Sequence, residues 1–263
     1  MSTADPALMA ATPRAMSLWR LEILRLFRTH RWIALFGVYL AFGLLGPVTA
    51  TYLPDILTRV QSEMTIIVPP PQPKDGMTNY INQVGQTGVI VVVAIAAGAL
   101  AFDAHPGVSI FLRTRATGMW SLIRPRLTVT LAAAIAAYAL GTLAVWYGTA
   151  VLLGPLPAGS MAAGLLCAAL YLTFVIAVVA AAASLTRGTL GTVGLALITL
   201  LLLAIAGSVA PLHDWLPSSL VAAPADLLTG ATLVDFLPAM AVAVVASAGL
   251  VAGAVWRLGR REI

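Results

Sequence analysis

LTVTLAAAIAAYALGTLAVWYGTAVLLGPLPAGSMAAGLLCAALYLTFVIAVVAAAASLT, residues Leu127–Thr186, runs for sixty residues without an Asp, Glu, Lys, Arg or His. A bilayer core roughly 30 Å thick takes about 20 residues of helix. The stretch is therefore two membrane spans and a turn, and Gly154-Pro155-Leu156-Pro157-Ala158-Gly159 is the turn. The rest of the chain has the same character. Of its 263 residues 60% are apolar and 10% are charged, with a mean hydropathy of +0.96, whereas a soluble domain carries about 25% charged residues. The chain reads as an integral membrane protein. Backbone groups in lipid must be satisfied internally, so apolar runs of this length are helices and the fold class is all-α.

Working outward, six spans are expected, at Ile33–Ala50, Val84–Phe102, Leu127–Leu153, Met161–Leu185, Thr189–Ala210 and Phe236–Trp256. Lys and Arg concentrate on the cytoplasmic side of a membrane protein. With the N-terminus inside, thirteen arginines fall in the cytoplasmic pieces. They are Arg14, Arg20, Arg25, Arg28, Arg31, Arg113, Arg115, Arg124, Arg126, Arg187, Arg257, Arg260 and Arg261, against only Arg59 and Lys74 outside. Both termini are expected in the cytoplasm. Val48-Thr49-Ala50 resembles a signal-peptide cleavage site, but the preceding thirty residues are too long and too amphipathic for a leader, so the first span reads as retained.

The expected organisation is a cytoplasmic N-terminus and elbow helix (1–31), a six-helix transmembrane domain (32–256) and a cytoplasmic tail (257–263). Within the domain lie an external loop (51–83), a cytoplasmic loop (103–126) and a second external loop (211–235). Ser17–Arg31 reads as the elbow, an interfacial helix. At 100° per residue Trp19, Ile23, Leu26 and Phe27 share one face while Arg20, Arg28 and Arg31 share another, and Glu22 can pair with Arg25. Leu53–Glu63 reads as a short helix on the outer leaflet, and Pro69–Pro73 as an extended spacer. Pro211–Asp235 carries Asp214, Asp226 and Asp235 and no basic residue.

Several chemistries find no support. A phosphate-binding loop needs a lysine, and the chain's one lysine, Lys74, stands beside the polyproline run. Gly188, Gly191 and Gly194 lack such a lysine and read as a helix-packing surface. His30, His105 and His213 lie in separate segments, unlike the clustered ligands of a metal site, and the single Cys167 excludes an intrachain disulfide. The expected spans hold no Asp, Glu, Arg or His, which disfavours an ion-coupled carrier or an intramembrane carboxylate enzyme. The chain reads as a non-catalytic membrane protein with no cofactor bound directly and no nucleic-acid role.

What remains is the loop Asp103–Arg126. Charged Asp103, Arg113, Arg115, Arg124 and Arg126 alternate there with Phe111, Trp120 and Leu122. Ser109–Thr114 and Thr117–Ile123 read as two short helices around Gly118, a composition suited to docking a protein or, alternatively, only to fixing topology.

With these features the chain resembles the permease subunits of type-2 ATP-binding-cassette (ABC) exporters. The resemblance rests on the elbow helix, the six spans, Asp103 four positions before Gly107, the pair Thr114-Arg115, the later Arg126, Tyr52–Leu57, Gln83 and Gln86, and the ending Arg261-Glu262-Ile263. It departs from the usual pattern at Val108 and Met119. The resemblance implies a subunit that binds a separate cytoplasmic ATPase, on which ATP and Mg would sit. Coupling would run through Asp103, Gly107, Phe111, Arg113, Thr114, Arg115, Trp120, Arg124 and Arg126. The elbow residues Trp19, Arg20, Glu22, Arg25 and Arg28 would support it, and a second permease subunit, the same chain or a sibling, would complete the pathway. Asn82, Gln83 and Gln86 are candidate pathway residues, or else polar caps at a helix start. The expected location is a bacterial plasma membrane, and the expected cargo lipophilic or amphipathic. Alternatives are an ATPase-independent secondary carrier and a non-transport sensor or assembly factor.

The arginine distribution generates a direct test. In a Cys167→Ala background, Gln72→Cys is expected to label from outside intact cells and Gly259→Cys only after permeabilisation. The reverse pattern would overturn the orientation.

Overall fold

The computed structural model describes residues 18–60, 70–101 and 119–260. Among these it is helical, with no strand, and six helices are long and apolar enough to cross a membrane. In chain order they follow α1 (Leu18–Arg28), which ends in a tight corner at Thr29-His30. His30 takes φ 55°, the left-handed conformation that commonly ends a helix. The Thr29 hydroxyl donates to the Arg25 carbonyl at 2.7 Å and closes that last turn. The corner redirects the chain into α2 (Arg31–Val60), the first spanning helix.

Span two differs from the sequence expectation. It is composed of α3 (Pro73–Gln83), a π-helical turn (Val84–Gly88) and α4 (Val89–Leu100). The expectation started it at Val84, because Lys74, Asp75, Asn79, Asn82 and Gln83 make α3 too polar for a hydropathy window. Local chemistry starts the helix instead. Pro73 stands at the first helical position, and the Asp75 carboxylate accepts the Gln72 backbone N–H at 2.7 Å. Met77, Tyr80 and Ile81, with the apolar face of α3, are buried in the core.

The remaining helices are α5 (Met119–Leu152), α6 (Ala158–Leu185), α7 (Thr189–Ala206) and α10 (Leu237–Arg260). Between the last two, the chain forms one-turn helices α8 (Ala210–His213) and α9 (Ala223–Asp226) and 3-10 turns at Pro217–Val221 and Leu233–Phe236. The α5–α6 turn falls where the prolines and glycines predicted it. Gly154 supplies a φ of +121°, and its N–H and that of Leu153 both donate to the Thr149 carbonyl.

Three further expectations change. The outer-leaflet helix Leu53–Glu63 is not separate, since α2 continues unbroken through Pro54 to Val60. Of the expected short helix Thr117–Ile123, the described part from Met119 is the first turn of α5. Gly188 and Gly194 make no close packing within the chain, because a Cβ at either would meet nothing within 4 Å. The adjoining helix face is open, with Leu190, Ile198, Leu201, Leu202 and Ile205 exposed, as on a lipid-facing helix. The loop residues 102–118, Pro69 and the ending 261–263 lie outside the described residues.

α6 is the most buried helix and forms the spine of the bundle. Beside it, α2 crosses α5 at glycine on glycine. A Cβ on Gly43 would stand 2.5 Å from the Gly141 carbonyl oxygen, so only glycine allows the approach. Tyr39, Tyr80 and Tyr138 fill the space next to that crossing, with ring centroids 5.8 Å apart for the Tyr39–Tyr138 and Tyr80–Tyr138 pairs. The Tyr80 hydroxyl donates to the Tyr138 carbonyl at 3.2 Å.

The crossing gives the second prediction. Gly43→Ala is expected to destabilise the protein in detergent or nanodiscs by about 1–3 kcal/mol through overpacking. Gly37→Ala, on the same helix in open space, is expected to stabilise it by about 0.5–1 kcal/mol. Thermal unfolding of the two variants checks both signs.

Candidate functional site

Functional groups gather at two places along span two, the end of α4 and the π turn. At the end nearest α1, the last carbonyls of α4 have no partner within their own helix. Guanidinium groups from three other places supply one. Arg25 Nη2 donates to the Gly98 carbonyl at 3.2 Å, and Arg126 Nη1 donates to the Ala99 carbonyl at 3.3 Å. Arg31 lies against the same turn, where a Cβ on Gly98 would come within 2.6 Å of its Nη1. Cations at a helix C-terminus also answer its negative dipole end.

Three cations so close need an anion, and Glu22 is that anion. Its Oε1 accepts Arg126 Nε at 2.8 Å, with the two side chains 13% and 12% exposed. Its Oε2 lies 3.7 Å from Arg25 Nη1, the local pair expected from the sequence. The stronger bond goes to the residue more than a hundred positions away. It joins α1, the end of span two and the base of span three in one knot.

The knot fixes how the elbow lies. Glu22, Arg25 and Leu26 face the bundle, while Trp19, Ile23 and Phe27 are exposed on the outer side, where an interfacial helix meets lipid. Leu26 thus leaves the apolar face to which the sequence assigned it. Arg20 and Arg28 are exposed. Of the expected coupling residues, Asp103, Gly107, Phe111, Arg113, Thr114 and Arg115 lie outside the described residues. Arg124 is exposed. Arg126 is held inside the knot, a strut between helices with its guanidinium already engaged. Trp120 borders an apolar groove of about 700 Å³ with Trp256 and small residues of α10 such as Ala248 and Ala252. Arg260 stacks over the Trp256 ring at 4.0 Å.

Midway along span two the π turn (Val84–Gly88) widens the helix by about one residue per turn, a distortion that often marks functional sites. Beside it opens a cavity of about 780 Å³ between span two, α6, the end of α7 and the segment after it. Asn82 and Gln86 line it, and Gln83 does not. They meet groups that sequence reading did not single out for this site: Ser208, His213, Asp214 and Ser218. The His213 ring is oriented by its Nδ1, 3.1 Å from the Gly207 carbonyl, an arrangement in which Nδ1–H donates. Burial in the neighbouring turn pushes the Asp226 carboxyl above its ordinary range, and the His213 imidazole pulls it back. Among the described residues no three His, Cys, Asp or Glu side chains are grouped to hold a metal ion.

Comparison of the chain with protein-family models, with curated proteins and with solved structures gives no match.

The knot gives the third prediction. Glu22→Gln leaves Arg126 buried without its counter-charge and is expected to cost about 3 kcal/mol. Arg28→Gln, on the exposed side of α1, is expected to cost under about 0.5 kcal/mol. Unfolding midpoints in nanodiscs check the difference, and protease sensitivity of residues 18–30 should rise only in the first variant.

Proposed function

We propose that the chain is the membrane permease subunit of an ATP-driven exporter of the type-2 ABC class, working with a separate cytoplasmic ATPase. The observation that carries this reading is the Glu22–Arg126 knot. The segment 102–118 leaves the end of α4 and returns at the start of α5, so both its roots are tied to the elbow. A load applied to that segment would pass into spans two and three together rather than into a loose loop. Such stiffness is what coupling to a cytoplasmic motor requires, and it costs a buried ion pair that a merely topological loop does not need.

The charge asymmetry supports a cytoplasmic location for this end, and the lone lysine, Lys74, leaves ATP chemistry to a partner. The open apolar face of α7 and the small residues Gly188, Gly191 and Gly194 are available to lipid or to a second permease subunit.

The test is purification of the tagged chain from its native membrane. A soluble ATPase subunit bearing a phosphate-binding lysine motif is expected to accompany it, with ATP turnover in the complex and none in the chain alone. Phe111→Ala is expected to weaken the complex by about 2 kcal/mol, roughly thirtyfold. Arg115→Glu should weaken it in a salt-dependent manner. Transport by the ATPase-free chain in liposomes, driven by an ion gradient, would replace this reading with a secondary carrier.

A further inference from the structure

The cavity beside the π turn continues inward. A chamber of about 20 Å³, room for a single small group, lies against it and shares Ile81, Gly85, Tyr171 and Val221 as a common wall. Its far side is formed by the rings of Tyr39 and Tyr138. Tyr39 is fully buried, and among the described residues its hydroxyl has no hydrogen-bond partner. It lies in the space left by Gly88 of the π turn, where a Cβ would stand 3.3 Å from that oxygen. A buried hydroxyl left unpaired costs about 1–3 kcal/mol. Such a polar group, on a residue that lines the chamber, is available to a ligand that reaches it.

The charge of the passage is one-sided. Asp214 supplies the carboxylate of the outer cavity, and among the described residues no Lys or Arg lines it. From Gly188 to Trp256 the chain has no basic residue other than His213. The amide and hydroxyl groups of Asn82, Gln86, Ser208 and Ser218 are neutral and can orient a ligand of either sign. The inner wall is apolar and aromatic, with Ile81, Val84, Val89, Leu172 and the three tyrosine rings. A carboxylate in front of electron-rich ring faces attracts positive charge and repels negative charge.

We infer that this cavity is a binding site for hydrophobic organic cations, with Asp214 as counter-charge and the tyrosine-lined chamber behind the π turn as the deep end. Gln86 and Asn82 orient the ligand at the mouth. The apolar body packs on Ile81, Tyr171 and Val221, the residues common to both spaces. The inference rests on the exporter reading only in treating such a cation as cargo. The site itself belongs to this chain and needs no ATPase.

The experiment therefore uses the full chain alone in nanodiscs, with two probes matched in size and shape, tetraphenylphosphonium and tetraphenylborate. Equilibrium dialysis is expected to show saturable binding of the cation and only lipid partitioning of the anion. Asp214→Asn, at an exposed position that should not disturb folding, is expected to weaken cation binding about tenfold. Asn82→Trp, which fills the mouth, is expected to abolish saturable binding, while Trp256→Ala in the distant apolar groove leaves it unchanged. Tyr39→Phe removes only the unpaired hydroxyl, so it should alter cation affinity without lowering the unfolding midpoint. Equal saturable binding of both probes, or unchanged cation binding in Asp214→Asn and Asn82→Trp, would overturn the inference. That result would leave the exporter reading standing, since co-purification of the ATPase tests it separately.

Discussion

Glu22 lies on a short helix outside the bundle, yet its carboxylate decides how the bundle ends. Three guanidinium groups converge on the last turn of span two because carbonyls there lack intrahelical partners. Without an acidic partner, their mutual repulsion and desolvation would outweigh two charge-assisted hydrogen bonds. Glu22 reverses that balance and orients the elbow as a consequence. The face carrying Glu22, Arg25 and Leu26 must turn inward to reach Arg126, so the tryptophan and phenylalanine turn outward. Anchored through Glu22, α1 is held to the bundle with its exposed aromatic side facing away from it.

The opposite half of the bundle is built on a different constraint, small residues that let helices approach. Gly43 and Gly141 bring α2 and α5 to backbone contact, and the space displaced by that approach is filled with tyrosines. In a membrane, where apolar surface gains little by being buried against other apolar surface, such packing is a main source of cohesion. The tyrosines add polar atoms that must be accounted for. Tyr80 spends its hydroxyl on the Tyr138 carbonyl, while that of Tyr39 is left over.

Span two connects these two regions. Its α4 end carries the carbonyls held by the knot, and the π turn with Gln86 lies about 18 Å away along the same helix axis, at about 1.5 Å per residue. A π turn is a point where a helix can change register at low cost. A single element thus joins the proposed motor contact on one side to the proposed cation cavity on the other. The two ends are continuous in covalent structure and need no chain of side-chain contacts between them.

Much of this architecture was legible in the residues. Sixty uncharged positions and their central prolines determined two spans and a turn, and hydropathy located the other four spans, span two without its first helix Pro73–Gln83, because crossing a bilayer is a requirement on local length and apolarity alone. The helix ahead of span one was legible from its periodicity, and the Glu22–Arg25 pair from its spacing. Asn82 and Gln86 stood out as polar residues near an apolar run. The early start of span two was hidden, since α3 is polar on one face and a window average dilutes its buried Met77 and Tyr80. Tertiary structure alone decided which carboxylate meets which arginine, which face of the elbow turns inward, and that His213 and Asp214 close a cavity with Gln86. Those outcomes depend on the rotation and register of helices packed across more than a hundred residues of sequence, and no local pattern encodes an angle between two helices.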